Sequence, residues 1–297
     1  MKWQGVFPAI TTPFQDDLSL DLDFLPRHLE AMLDAGCTGF VPLGSLGEAA
    51  TLTFAEKGAV LETCRKTLSG RAALVAGIAA LSTAEAVATA RLAAEKGCDG
   101  LMVLPPYVYR PDAREMRAHF SAVIGATELP CMLYNNPIAY GTDVSAQEIE
   151  ELAGRHANLV AVKESSGDVR RIAAIRALSE SRLAIFVGVD DLIVEGVAAG
   201  AVGWIAGLVN ALPGESVRLF DLAVAGSSRE ARDLYEWFLP LLRLDVVPKF
   251  VQLIKLVQQE CGMGSERVRP PRLVLEGAER GEALAVIRER LARRPRI

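Results

Sequence analysis

The sequence predicts an α/β fold, a (β/α)8 TIM barrel with a C-terminal helical extension, on three observations. Short apolar or β-branched runs alternate eight times with amphipathic helical stretches between Gly5 and Ala225. Glycines close helices at Ala35-Gly36, Lys96-Gly97 and Ala199-Gly200. From Arg229 onward the strand pattern stops while helical periodicity continues. Strand and helix in strict alternation imply a parallel sheet, and eight such units close naturally into a barrel.

The first two units place strands at 6–10 and 39–43, followed by helices at 24–35 and 54–68. Units three and four pair 73–76 with 83–95 and 100–104 with 114–124, with Ser82 positioned to cap the third helix. Units five and six pair 130–134 with 147–153, where Ser145 is the available cap, and 159–163 with 170–178. Units seven and eight pair 184–187 with 192–198 and 203–205 with 215–224. The extension then carries helices at 231–242, 251–261 and 279–292, the last two separated by Val268-Arg269-Pro270-Pro271-Arg272. No Ser/Gly-rich linker intervenes, so residues 1–226 are expected to form the barrel and residues 227–297 an extension of the same structural unit.

Stretch 194–212 has the length of a membrane span, about 20 residues. Glu195 and the glycines Gly196, Gly200, Gly203 and Gly207 instead favour a helix, a glycine turn, a buried strand and a loop. No membrane partner is therefore expected. The balance of 37 acidic against 32 basic side chains leaves a net charge of −5, without the electrostatic footprint of a nucleic-acid binder. The five cysteines are far apart and form no CxxC pair, and the start Met1-Lys2-Trp3-Gln4-Gly5 lacks a secretory apolar segment. A cytoplasmic protein with reduced thiols is the expectation.

Chemistry concentrates where strands end, the face on which barrels carry their catalytic groups. Lys163 closes the apolar run Leu159-Val160-Ala161-Val162, and a charge at the mouth of a buried strand needs a reason. Burial disfavours the ammonium and favours the free amine, which attacks carbonyls. Tyr134 ends strand five, and its phenol can carry protons to and from a carbinolamine. Ser45 follows strand two in Gly44-Ser45-Leu46-Gly47-Glu48, a turn whose successive backbone N–H groups can cradle a carboxylate. Ser45 is also placed to bond Tyr134, while Glu48 reads as an anchor for the loop. Against each stands a plainer reading: a solvated lysine, a tyrosine that packs the barrel end, and an ordinary glycine turn. HExxH, GxGxxG, Walker and GxSxG motifs do not occur, and His28, His119 and His156 are scattered. Neither metal nor organic cofactor is expected.

Together these residues resemble the dihydrodipicolinate synthase / N-acetylneuraminate lyase family of imine-forming barrels. The resemblance runs through Gly5-Val6 with Thr11-Thr12-Pro13-Phe14, GSLGEAATL at 44–52, YNNP at 134–137, KESSGD at 163–168 and GVDD at 188–191. It implies a homotetramer that holds a small-molecule 2-oxo acid as an imine on Lys163, with Tyr134 as proton relay and Ser45 as the first hydroxyl of the carboxylate loop. Leu46 stands where the family has a second hydroxyl, so Gly44, Leu46 and their neighbours would hold the carboxylate by backbone N–H groups. Gly188, Asp190 and Gly207 match positions lining the distal substrate pocket.

Two departures narrow the implied activity. Ala139 occupies the place of the arginine with which the synthases bind their second substrate, and Val108 the place of a tyrosine that crosses a subunit interface. The remainder resembles the branch of 1-pyrroline-4-hydroxy-2-carboxylate deaminases of hydroxyproline catabolism. The cues are Lys163-Glu164-Ser165-Ser166, Asp168-Val169-Arg170-Arg171, Gly203-Trp204-Ile205-Ala206-Gly207-Leu208-Val209 and Val268-Arg269-Pro270-Pro271-Arg272. That branch implies a cyclic imino acid as substrate and ammonia with 2-oxoglutarate semialdehyde as products. A retro-aldolase or dehydratase of a 2-keto-3-deoxy sugar acid, and a non-catalytic metabolite-binding barrel, are the alternatives.

Overall fold

A computed structural model describes residues 1–106, 109–226 and 229–296. The expectation about Val108 therefore lies outside the described residues, as does the 226/227 boundary.

Eight parallel strands form one sheet in the order β1-β8-β7-β6-β5-β4-β3-β2. They are β1 (Gly5–Pro8), β2 (Gly39–Phe40), β3 (Ala73–Ile78), β4 (Gly100–Val103), β5 (Cys131–Asn135), β6 (Leu159–Glu164), β7 (Ala184–Val187) and β8 (Gly203–Ala206). The first and last members of that order meet through single bonds. Thr38 N donates to Val6 O, Val41 N to Pro8 O and Ile10 N to Val41 O, which closes the barrel.

The barrel interior is filled by aromatic rings that two glycines make room for. A side chain on Gly39 would overlap the Phe7 ring, and one on Gly203 would overlap Phe186. Phe7 and Phe186 meet edge to face at 5.0 Å between centroids, and Trp3 stacks on Phe7. Such pairs add about 1 kcal/mol each beyond the area they bury.

Around the sheet lie α1 (Phe24–Asp34), α2 (Phe54–Leu68), α3 (Thr83–Glu95), α4 (Ala113–Ile124), α5 (Pro137–Tyr140), α6 (Ala146–Arg155), α7 (Arg170–Leu178), α8 (Ile193–Ala198) and α9 (Pro213–Val224). Local chemistry sets their ends. Ser82 caps α3, and Ser145 forms a reciprocal capping box with Glu148 at the start of α6. Gly36, Gly97 and Gly200 take φ of +101°, +74° and +104° just past α1, α3 and α8, a region that favours glycine. The apolar stretch 194–212 resolves into α8, the Gly200 turn, β8 and a loop. No helix among the described residues is long and apolar enough to cross a membrane.

Three local expectations need correction. Strand two is shorter than 39–43, because Pro42 has no N–H to donate and Leu43 turns the chain with φ +64°. β5 and β6 each run one residue past the predicted end, so Tyr134 and Lys163 are penultimate in their strands. The short helix α5 was not anticipated; Pro137 starts it and Asn136 caps it.

The extension comprises α10 (Arg229–Leu242), α11 (Phe250–Glu260) and α12 (Gly277–Ala292). Phe238, Leu241, Leu242, Ile254, Leu256 and Val257 are shut off from solvent within the same apolar core as the barrel strands and helices.

Candidate active site

Parallel pairing places Tyr134 of β5 directly beside Lys163 of β6, with Phe186 of β7 on the other side. Paired residues point to the same face of a sheet, so lysine and phenol enter the barrel mouth together. Lys163 is buried, and its Nζ lies 4.1 Å from the centre of the Tyr134 ring. Gly188 provides the space, since any side chain there would overlap Lys163 Cε and Ser165 Oγ.

The strand ends are locked by a polar chain. Glu164 is buried and accepts from Ser166 N at 2.6 Å and from Asn135 Nδ2 at 3.1 Å. Asn135 also accepts from Val144 N and donates to Asp143, which Arg171 of α7 grips through two bonds of 2.6 Å. A two-pronged pair of this kind fixes direction as well as distance. It therefore sets the exit of both strands, β5 and β6.

Ser45 bonds Tyr140 through their hydroxyls, where a bond to Tyr134 was the expectation. Tyr140 sits at the end of α5 and meets the Tyr134 ring edge to face at 5.8 Å. Asn136 in turn donates to the Tyr134 hydroxyl at 2.9 Å. Lys163, Tyr134, Tyr140 and Ser45 thus follow one another in contact, and Tyr140 is the member that sequence reasoning missed. Its signal was available, a tyrosine three residues past the proline of YNNP.

The turn carrying Ser45 is held from behind. Gly47 faces Ile10 O so closely that an added Cβ would lie 2.8 Å away, and Thr12 Oγ1 donates to Gly47 O at 2.6 Å. Glu48 adopts a left-handed φ of +53° and is buried. It pairs with Lys255 of α11 at 2.6 Å and accepts from Arg269 N. Burial pulls the Lys255 ammonium down to about 8 despite that partner. Gly44 and Leu46 are both buried. Among the described residues, no hydrogen bond engages the backbone N–H of Ser45 or Leu46.

Asp190 is fully buried and accepts from Trp204 Nε1 at 3.0 Å, Gly207 N at 3.1 Å and Leu208 N at 2.8 Å. Its carboxyl braces the end of β8. Burial nevertheless raises it to about 6, with those hydrogen bonds and Lys163 pulling the other way. Gly207 meets a second carboxyl at its α-carbon, that of Asp245 from the extension. Sequence reasoning passed over Asp245, although an acid inside the apolar run Leu244-Asp245-Val246-Val247 was a visible cue.

The model of the dihydrodipicolinate synthetase family matches residues 2–290. The chain belongs to that family. A 4-hydroxy-tetrahydrodipicolinate synthase of Methanoculleus marisnigri is 34% identical over 274 residues, which are 91% of this chain and 93% of the relative. The 4-hydroxy-tetrahydrodipicolinate synthase of Methylacidiphilum fumariolicum SolV superposes with a TM-score of 0.92 at 29% identity, over 98% of each chain. A chloride-inhibited dihydrodipicolinate synthase of Acinetobacter baumannii, solved with pyruvate, gives a TM-score of 0.92 at 27% identity, over 97% of this chain and 99% of that one. Membership makes this family protein a class I, aldolase-like lyase.

Proposed function

We propose that this family member captures its substrate as an imine on Lys163 and acts as a 1-pyrroline-4-hydroxy-2-carboxylate deaminase. The observation that carries the imine reading is the buried Lys163 side chain against the face of Tyr134, whose ring in turn meets Tyr140 and, through it, Ser45. Lys163 adds to C2 of the cyclic imine, the ring opens, and the resulting Schiff base withdraws electrons from C3. Loss of a C3 proton and of the 4-hydroxyl follows. Water then releases ammonia and 2-oxoglutarate semialdehyde, so that substrate plus water balances the two products.

In this reading Tyr134 and Ser45 move protons at C2, and Tyr140 supplies the third hydroxyl from the same chain. The N–H groups of Ser45 and Leu46 hold the substrate carboxylate, while Gly188 lets Lys163 sit close and Gly207 does the same for Asp245, at the distal end of the bound chain. The deaminase reading over the synthase rests on Ala139, whose backbone serves the α5 cap and whose side chain brings no guanidinium. Arg110 reaches the same turn from the loop after β4, but it is exposed and lies against Gly141. Losing a charge-assisted pair is hard for a methyl group to replace.

The test is a substrate panel followed by borohydride. Ammonia from the pyrroline, no condensation of pyruvate with aspartate semialdehyde, and a reduced adduct mapped to Lys163 are the expected results. Pyruvate released from a 2-keto-3-deoxy sugar acid, with no ammonia from the pyrroline, would select the aldolase instead. Absence of any adduct at Lys163 would leave a binding barrel.

A further inference from the structure

The extension brings the carboxyl of Asp245 to the end of β8, against Gly207. Asp245 ends the turn Arg243–Asp245 that follows α10, and its Oδ1 is shut off from solvent with no hydrogen-bond partner. A buried, unbonded carboxyl oxygen is costly for stability unless it has another use. Its position suggests that use. The carboxyl fills the space that a side chain on Gly207 would need, while Asp190 holds the N–H of the same glycine. Two carboxyls therefore flank one residue at the mouth of the barrel, within electrostatic reach of Lys163.

We propose that Asp245, whose unbonded carboxyl oxygen lies against Gly207 at the end of β8, is the general acid that protonates the hydroxyl leaving C4 of the lysine-bound substrate. The proposal rests on the deaminase reading. In the step, the nitrogen lone pair of the Lys163 enamine forms the C2–N double bond of the iminium, and the C2–C3 π pair becomes the C3–C4 double bond. The C4–O bond breaks, and its oxygen takes the Asp245 proton and departs as water. The products are a conjugated iminium and an Asp245 carboxylate, so charge and atoms balance.

The electrostatics agree with this assignment. Burial pushes the Asp245 carboxyl well above the ordinary carboxylate range, and the charges of Asp190 and Asp191 push it further, while Lys163 pulls back. Two like groups at such range resist losing both protons. Asp190 is the poorer donor to substrate, because Trp204, Gly207 and Leu208 already occupy its oxygens. Asp245 has an oxygen to offer.

The experiment compares wild type with Asp245→Asn by four measurements on the whole chain. With pyruvate as probe, borohydride trapping at Lys163 is expected to be unchanged, since capture does not use Asp245. With the pyrroline, kcat for ammonia release is expected to fall about 100-fold, the scale of a positioned acid. The alkaline limb of the pH profile, to which Asp190, Asp191 and Lys163 also contribute, is expected to shift in the variant. Infrared difference spectra without substrate should show a protonated carboxyl in wild type that Asp245→Asn removes. Unchanged kcat in the variant, or no such carboxyl band, overturns the proposal. If wild type itself releases no ammonia, the deaminase reading fails, and the infrared result alone decides whether Asp245 is a proton-holding acid. Should Asp245→Asn fail to fold, Asp245→Glu replaces it, with the carboxyl band retained and kcat lowered by the displaced acid.

Discussion

At the residue scale, the hydroxyls of Tyr134, Tyr140 and Ser45 differ in how each is held, and their variants should separate accordingly. Tyr134 has Asn136 on its hydroxyl and the lysine on its ring, so Tyr134→Phe should keep the fold and lower kcat about 100-fold. Ser45→Ala and Tyr140→Phe each break the same Ser45 to Tyr140 bond. We therefore expect similar, milder losses and a double variant little worse than either single one, measured as a double-mutant cycle in kcat/KM. Fully additive losses would show that the two hydroxyls act apart.

His28 offers a second residue-scale test, in stability. It is buried on α1 with Nε2 against Asn210 O at 2.8 Å, and burial lowers it from 6.5 to about 4. The unfolded chain binds a proton there between those values and the folded chain does not. Stability from this group is thus fully present above pH 6.5 and falls as pH drops toward about 4. At ~1.4 kcal/mol per unit, the loss amounts to about 3 kcal/mol. Melting curves should show wild type losing more stability than His28→Gln across that range; parallel losses would contradict the assignment.

At the scale of elements, the Ser45 turn depends on a helix far away in sequence. Lys255 of α11 touches Glu48, Thr12 O and Arg267 O, and its ammonium sits 4.4 Å from the centre of the Phe14 ring. Removing one partner of a buried pair leaves the other charge stranded, at a cost of about 3 kcal/mol. Glu48→Gln should lower stability by that order in urea unfolding. Because the turn loosens, it should also raise KM for the carboxylate substrate more than it lowers kcat. A stability loss with wild-type KM would separate the pair from the turn.

How legible these elements were depended on the range of the interactions that make them. The strand–helix alternation, Ser82, Ser145 and the three helix-ending glycines are local signals, and their elements appear where they were read. α5 escaped notice because four residues cannot show a helical period, although Asn136-Pro137 is a start signal. Lys163 and Tyr134 were legible from their strands and meet in register. Tyr140 and Asp245 carried local cues, but which partners they meet was not legible, since each joins the site through folded contacts with Ser45 and Gly207.

At the scale of the whole molecule, barrel and extension share one apolar core, and the extension supplies Lys255 and Asp245 to the barrel mouth. A chain ending at residue 226 would expose that face and strand Glu48. We expect it to lose the cooperative thermal transition of the full chain; a truncated barrel melting sharply at the wild-type temperature would make the extension a separate domain. The full chain is expected to sediment as a tetramer of the 31.9 kDa subunit. A single species at monomer mass would remove the assembly from the proposal.

The placement of Asp245 has a consequence for redesign. On its proposed role, the amine that captures a substrate and the acid that decides its fate lie in stretches of the gene separated by some eighty codons. A mutant library confined to the turn before α11 would then diversify reaction outcome while leaving covalent capture intact. Sorting such a library first by borohydride labelling and then by product would turn one scaffold into a family of catalysts.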